Sequence, residues 1–278
     1  MSARTYADLI DDALADGREL VRVEREGAVV FVTMDDPESL NPLGLALTVQ
    51  LGERLRELAG DRSVDAVVLT GTDPAFSAGG DLRAMVESVR PLVDEGPEGV
   101  TAMWRWIRYQ FSGVVRVIAT TDKLFVAAVN GAAAGVGLAF ALASDLILAS
   151  DRARLVTAFG RIGLVPEVGV SWLLTRRLGY HKTLELFLSG RAVHAGEAWE
   201  LGLVNEVVPH DELLERARWW CEQAGALPPH VFPMSKPLLR QAADMTWEQA
   251  LTMEEFAEPA CFTTAGHREA VDAVLARR

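Results

Sequence analysis

The stretch KLFVAAVNGAAAGVGLAFALASDLILAS, residues 123–150, decides the fold. From Leu124 to Ser144 it carries no charge over 21 residues, which by length alone is enough to cross a bilayer as one helix. Asn130 and Gly131 break that run after a strand-sized apolar piece, and the Ala and Gly that follow carry little hydrophobic weight. Phe125–Val129 therefore reads as a buried strand, the glycine-rich stretch as a tight turn, and Gly135–Ala143 as a closely packed helix. Leu146–Ala149 reads as the next core strand. No membrane span is expected.

The same grammar recurs on either side. Upstream, Ala66–Thr70 (AVVLT) is a short β-branched run, followed by GTDPAFSAGGDL (71–82), a loop that opens into a helix. VRVEREGAVVFVTM (21–34) alternates around a Glu-Gly turn and predicts a hairpin. Leu43–Leu58 has apolar residues at helical spacing. Residues 83–121 are helical in character, interrupted at VRPLVDEGPEG (89–99), whose prolines and glycines predict a turn. Downstream, Leu155–Thr157 reads as a short strand and Val168–Leu178 as a helix. Leu184–Leu188 and Ala195–Leu201 read as short helices around SGRAVHAG. Past residue 210 only helical pieces remain: Leu213–Ala224, Ser235–Ala242, Trp247–Phe256 and His267–Ala276. Strands alternating with helices, then helices alone, predict an α/β core with a helical C-terminal region. The expected organisation is a lead-in over 1–20, a core over 21–210 and a helical region over 211–278.

Composition narrows the function. The chain has 278 residues, half of them hydrophobic, so it can bury one large core. Its 27 Lys and Arg against 39 Asp and Glu leave a net charge of −12, which disfavours a nucleic-acid surface. A local basic spot could still hold one phosphorylated ligand. Cys221 and Cys261 make neither a disulfide framework nor a metal-site spacing, and the five histidines form no ligand cluster, so no metal is expected. MSARTYADLIDDALADGREL has no apolar core of a signal peptide, and a reducing cytoplasm is the expected setting.

Three segments carry chemistry. FSAGGDL (76–82) and NGAAAGVG (130–137) each follow a strand, and each could aim backbone N–H groups at a ligand. Together they could form an oxyanion hole; equally, their glycines could serve close packing alone. Neither is a dinucleotide fingerprint or a P-loop. GLVPEVG (163–169) places Glu167 between apolar runs, where a carboxylate is a catalytic base, a helix cap or a surface residue. Trp104, Trp106, Tyr109 and Phe111 cluster near Arg105 and Arg108, either as packing or as the wall of an acyl pocket.

With these pieces in order, the chain resembles the enoyl-CoA hydratase/isomerase (crotonase) superfamily. The resemblance rests on DDPESLNPLG (35–44), VVLTGTDPAFSAGGDLRAM (67–85), residues 123–150, FGRIGLVPEVGVSWLLTRRLG (159–179), SGRAVHAGEAWELGLVNEVVP (189–209) and AGHREAVDAVLARR (265–278). It implies a spiral of β-β-α units with a helical C-terminal trimerisation region, a homotrimer or dimer of trimers, and a place in fatty-acid metabolism. It implies an acyl-CoA substrate, with coenzyme A part of that substrate and no permanently bound cofactor. By matching position, the oxyanion hole would be the N–H groups of Gly80 and Val136. Pro37, Ser39, Asn41, Ala78, Gly79, Asp81 and Leu82 would run beside the CoA. Asp81 reads better as the cap of the following helix than as a base. Met85, Trp104, Ala139, Phe159 and Pro166 would line the acyl pocket.

The departures are informative. Hydratases of this family use two glutamates to activate water, and the matching residues here are Ala139 and Phe159. Glu167 matches the single glutamate that several 3,2-enoyl-CoA isomerases of the family use as base. The resemblance thus implies an isomerase, with a hydratase or other crotonase reaction, or a non-catalytic acyl-CoA-binding protein, as alternatives.

Overall fold

Successive residues of the central strands face different layers, and this is why those strands are almost wholly apolar. The computed structural model describes residues 4–94 and 96–276. Positions 1–3, 95 and 277–278, within the lead-in, the 89–99 segment and the closing helix, lie outside the described residues. The main sheet has six strands in chain order: β1 (Val21–Glu26), β2 (Val29–Met34), β3 (Ala66–Gly71), β4 (Leu124–Val129), β5 (Leu146–Ser150) and β6 (Glu206–Val208). β1 and β2 form the antiparallel hairpin, and every later neighbour is parallel.

β3 and β4 are buried along their whole length. Val67, Leu69, Phe125, Ala127 and Val129 enter the larger core, whose helices include α1 (Tyr6–Ala15), α2 (Leu45–Gly60), α3 (Gly135–Ala143) and α4 (Val170–Ser189). Ala66, Val68, Leu124, Val126 and Ala128 face the other way, onto Leu213, Ala217 and Cys221 of α5 (Leu213–Gly225). A parallel sheet covered on both faces requires such runs.

Each of four strands is followed by a very short strand and then a helix. β2 leads to Pro42–Leu43 and α2, and β3 to Ala75–Ser77 and the helical run over 82–94. β4 leads to Ala132–Ala134 and α3, and β5 to Arg154–Val156 and, after a loop, α4. The short strands pair among themselves, Val193–His194, Arg154–Val156, Ala132–Ala134 and Ala75–Ser77 in spatial order. This is the α/β spiral of β-β-α units implied by the resemblance. The charge-free stretch at 124–144 divides between a strand, a short strand and a nine-residue helix, and no helix among the described residues is long and apolar enough to cross a membrane.

One expectation needs correction. The described residues of the 89–99 segment are mostly helical: Arg90–Asp94 is helical, and a second helix begins at Pro97, after Gly96 (φ +96°). Pro97 sits at the helix start, where its missing N–H costs nothing. Pro91 follows a wide π turn over Met85–Val89 that already interrupts the ordinary hydrogen-bond ladder.

After β6 the chain is helical: α5, α6 (Val231–Ala242), α7 (Trp247–Phe262) and α8 (Ala265–Leu275). Lys236 ties α6 to the core. It is buried, donating to the carbonyls of Ile118 (2.9 Å) and Lys123 (2.8 Å) and pairing with Asp145 at 2.8 Å, a carboxylate shared with Arg240. No residue of α7 or α8 is fully buried, and Trp247, Phe256 and Phe262 stand exposed on α7.

Candidate active site

The two glycine turns meet. Gly79 has φ +91°, and a Cβ there would lie 2.7 Å from the carbonyl oxygen of Ala134 and 3.5 Å from the Cα of Gly135. Only glycine allows that approach in that conformation. The turns therefore bring Gly80 and the N-terminus of α3 to one place. No side chain caps α3, and the amide of Val136, in its first turn, has no acceptor within the helix. Such an amide is suited to an anionic oxygen.

A hydrogen-bonded brace holds the first turn. The Ser77 hydroxyl accepts from the Gly79 amide (3.1 Å) and donates to the Asn41 carbonyl (2.8 Å). The Asn41 side chain is fully buried: it donates to the carbonyls of Thr72 and Ala75, each at 2.7 Å, and accepts from the Asp36 amide at 2.8 Å. Asn41 thus stitches two loops together, and its side chain does not face a ligand. Gly79 and Gly80 pair in turn with Pro42 and Leu43. Asp81 caps the next helix, accepting from the amides of Arg83 (2.8 Å) and Ala84 (3.2 Å).

Beside these turns lies a cavity of about 580 Å³. Of the residues expected along the CoA, Ser39, Ala78, Asp81 and Leu82 line it together with Gly80; Pro37, Asn41 and Gly79 do not. Met85 lies over Gly80, its terminal carbon 2.7 Å from where a Cβ would stand.

The expected acyl-pocket residues separate. Ala139 is fully buried in α3, and Phe159 is 2% exposed. The Phe159 ring reaches to 3.9 Å of a Cβ built on Gly135, so it packs beside the α3 N-terminus. Pro166 is half-buried on the loop before α4. Trp104 does not join them. It is 53% exposed on the helix Pro97–Trp106, with the Arg108 guanidinium 5.3 Å from its ring centre and Tyr109 edge-on at 6.5 Å. The 104–111 aromatics divide by helical spacing: Trp106 and Phe111 are core, while Trp104 and Tyr109 are surface.

Glu167 is half-buried on the loop between Phe159 and α4, and its burial raises its pKa above the usual glutamate range. The backbone there is strained. Val168 has φ +56°, a conformation β-branched residues rarely adopt, and Gly169 follows at φ +88°. Ala158, immediately before Phe159, has φ +55°, and Leu40 and Asn41 have φ +67° and +54°. These four are the non-glycine residues with positive φ among the described residues, and all flank expected site positions. Strain of this kind concentrates where a geometry is used.

Sequence reading missed Ser77, although its place two residues before Gly79 is the spacing of a hydroxyl-to-amide turn. It also missed that Asp12, Asp16, Arg18 and Leu20 line the cavity, because nothing local shows that they reach a loop some sixty residues away. No group of three or more His, Cys, Asp or Glu side chains that could hold a metal ion occurs among the described residues.

Comparison with known proteins gives the family. Residues 24–278 match the family described as enoyl-CoA hydratase/isomerase. A Rhizobium meliloti protein named "Probable enoyl-CoA hydratase" is 32% identical, the alignment covering 94% of this chain and 96% of that protein. The 1,2-epoxyphenylacetyl-CoA isomerase of Escherichia coli is 30% identical over 94% of this chain and 97% of its own. The crystal structure of an enoyl-CoA hydratase/isomerase from Cupriavidus metallidurans superposes with a TM-score of 0.83 at 30% identity, covering 95% and 96% of the two chains. Relatives named for hydration and for isomerisation thus stand at nearly the same distance, and overall identity does not choose between the reactions.

Proposed function

Because the chain belongs to the enoyl-CoA hydratase/isomerase family, we propose that it processes an acyl-CoA thioester, and that its reaction is the shift of a 3-enoyl-CoA to the conjugated 2-enoyl-CoA. The observation that carries this reading is Glu167, a half-buried carboxylate on a strained turn, combined with the apolar Ala139 and Phe159, which the family resemblance matches to the two hydratase glutamates. One carboxylate suffices for an allylic shift, whereas water activation in this family uses two.

In the proposed mechanism the thioester oxygen lies between the amides of Gly80 and Val136. Glu167 takes a proton from C2, and the electron pair delocalises through the C3–C4 double bond and the carbonyl as a dienolate. The two amides stabilise the oxygen as its charge grows, a contribution on the order of several kcal/mol. The same carboxylic acid returns its proton to C4, leaving the double bond between C2 and C3. Burial suits Glu167 to both halves, because a raised pKa makes the carboxylate a stronger base and keeps the acid form accessible. Phe159 and Ala139 offer no group to hold a water, which favours isomerisation over hydration. Coenzyme A occupies the cavity lined by Ser39, Ala78 and Leu82. The exposed Trp247, Phe256 and Phe262 of α7 support a homotrimer or a dimer of trimers in which C-terminal helices meet.

The test is a paired assay with 3-enoyl-CoA and 2-enoyl-CoA of matched chain length, following absorbance of the conjugated thioester. Absorbance rising from the 3-enoyl substrate, with the 2-enoyl substrate left intact, supports the proposal. Rapid loss of the 2-enoyl signal to a 3-hydroxyacyl product overturns it in favour of hydration. No turnover across a chain-length series, with CoA binding retained, favours a binding protein.

A further inference from the structure

The family match begins at residue 24, yet the segment before it helps to build the cleft. Asp12, Asp16, Arg18 and Leu20 line the same cavity as Gly80 and Arg83. The segment is firmly anchored. Thr5 caps α1 in a reciprocal capping box with Asp8, and Leu9 is fully buried. The Tyr6 hydroxyl accepts from Gln110 Nε2 at 2.6 Å. Gln50 of α2 grips both sides of the turn, accepting from the Leu20 amide and donating to the Arg18 carbonyl, each at 2.8 Å. The backbone of Arg18 is therefore set at the cleft rather than free to wander.

The charge on the cleft gives that placement its meaning. Six carboxylates line the cavity (Asp12, Asp16, Asp36, Glu38, Asp81, Glu87), against two guanidiniums, Arg18 and Arg83. A ligand with several phosphates meets repulsion there unless cations oppose it. Arg18 uses Nε (2.7 Å) and Nη2 (2.6 Å) on Asp16, while Nη1 stays 3.7 Å from Asp36, beyond hydrogen-bond length. That leaves the Nη1 end of a guanidinium held at its other edge, a geometry suited to a phosphate oxygen.

We infer that Arg18, supplied by the N-terminal segment, is a specificity-determining residue that contacts a phosphate of the substrate's nucleotide end. Without it the charged side chains on the cleft wall are six carboxylates against Arg83 alone, and they repel that end. This rests on the acyl-CoA reading above and adds a residue to it.

Titration calorimetry tests the assignment with two ligands, coenzyme A and pantetheine, the second lacking every phosphate. In R18A, CoA binding weakens about tenfold or more, the loss of a charge-assisted contact, while pantetheine binding stays within twofold. In D16N, which releases the guanidinium from its carboxylate, CoA binding tightens and pantetheine binding is unchanged. Equal CoA affinity in R18A and the parent overturns the assignment. So does a parallel loss for both ligands, which marks a structural role. A parent protein that binds neither ligand overturns the acyl-CoA reading itself, and the role of Arg18 with it.

Discussion

Replacing Glu167 by Gln keeps the volume and removes the proton acceptor. Neither Ala139 nor Phe159 supplies a substitute carboxylate, so the whole contribution of general base catalysis is exposed. That contribution is typically 10²- to 10⁴-fold, or about 3 to 5 kcal/mol of barrier. The expected result is a fall of about that size in kcat for 3-enoyl-CoA, with CoA affinity within twofold of the parent by calorimetry. The same change makes an opposite prediction for stability. Burial raises the folded-state pKa of Glu167 above its ordinary value of 4.5, so the folded protein holds that proton more tightly than the unfolded chain. The stability tied to that proton is complete below the unfolded value and is lost as pH rises through the folded one. Gln carries no such loss. E167Q should therefore be more stable than the parent at neutral pH by urea denaturation, and the difference should vanish as pH falls below about 4.5. The parent's kcat/KM should decline on the acid side as the base protonates, with its midpoint above 4.5. An E167Q enzyme that keeps more than a tenth of the parental kcat refutes the assignment of the base. An E167Q protein less stable than the parent at neutral pH refutes the account of its burial.

Further expectations follow from individual contacts. Gly79→Ala places a methyl 2.7 Å from the Ala134 carbonyl in a left-handed conformation, so the turns must separate; kcat should fall roughly 10²- to 10³-fold, measured by steady-state kinetics, as for loss of one oxyanion donor. Asn41→Ala leaves the Thr72 and Ala75 carbonyls and the Asp36 amide without their buried partner, and should cost about 2 to 4 kcal/mol in chemical denaturation. Phe159→Ala should cost about 3 to 5 kcal/mol and open space beside Gly135, raising the share of hydrated product when 2-enoyl-CoA is offered. Lys236→Met breaks a buried ion pair by removing one partner and should destabilise by about 3 to 5 kcal/mol; a loss under 1 kcal/mol would show that Arg240 alone satisfies Asp145.

How much of this was legible in the sequence depended on the range of the interaction. Gly135–Ala143 was readable as a helix with its bounds, because a glycine-rich turn and a serine bracket an unbroken apolar run. The core strands were readable because two-sided burial leaves almost every residue inside them apolar; Thr70, the polar exception in β3, donates its hydroxyl to the Ala128 carbonyl. The short strands such as Ala75–Ser77 and Arg154–Val156 were mostly invisible or misplaced by a residue, since three residues carry no period and form only through pairing with distant partners. Trp104 and Asn41 show the same limit at the site: the aromatic cluster suggested a pocket wall and the resemblance a ligand contact, but packing set one on the surface and buried the other as a brace.

The chain's own order of residues determined the α/β pattern, the two glycine turns and the apolar character of Ala139 and Phe159, the residues that the family resemblance matches to the two hydratase glutamates. Those are properties of local chemistry, and they hold wherever the segments end up. Tertiary structure decided that Gly79 touches the start of α3, that burial raises the pKa of Glu167, and that Arg18 faces the cleft of Gly80. Each of these depends on residues far apart in the chain, which only the folded tertiary structure brings together.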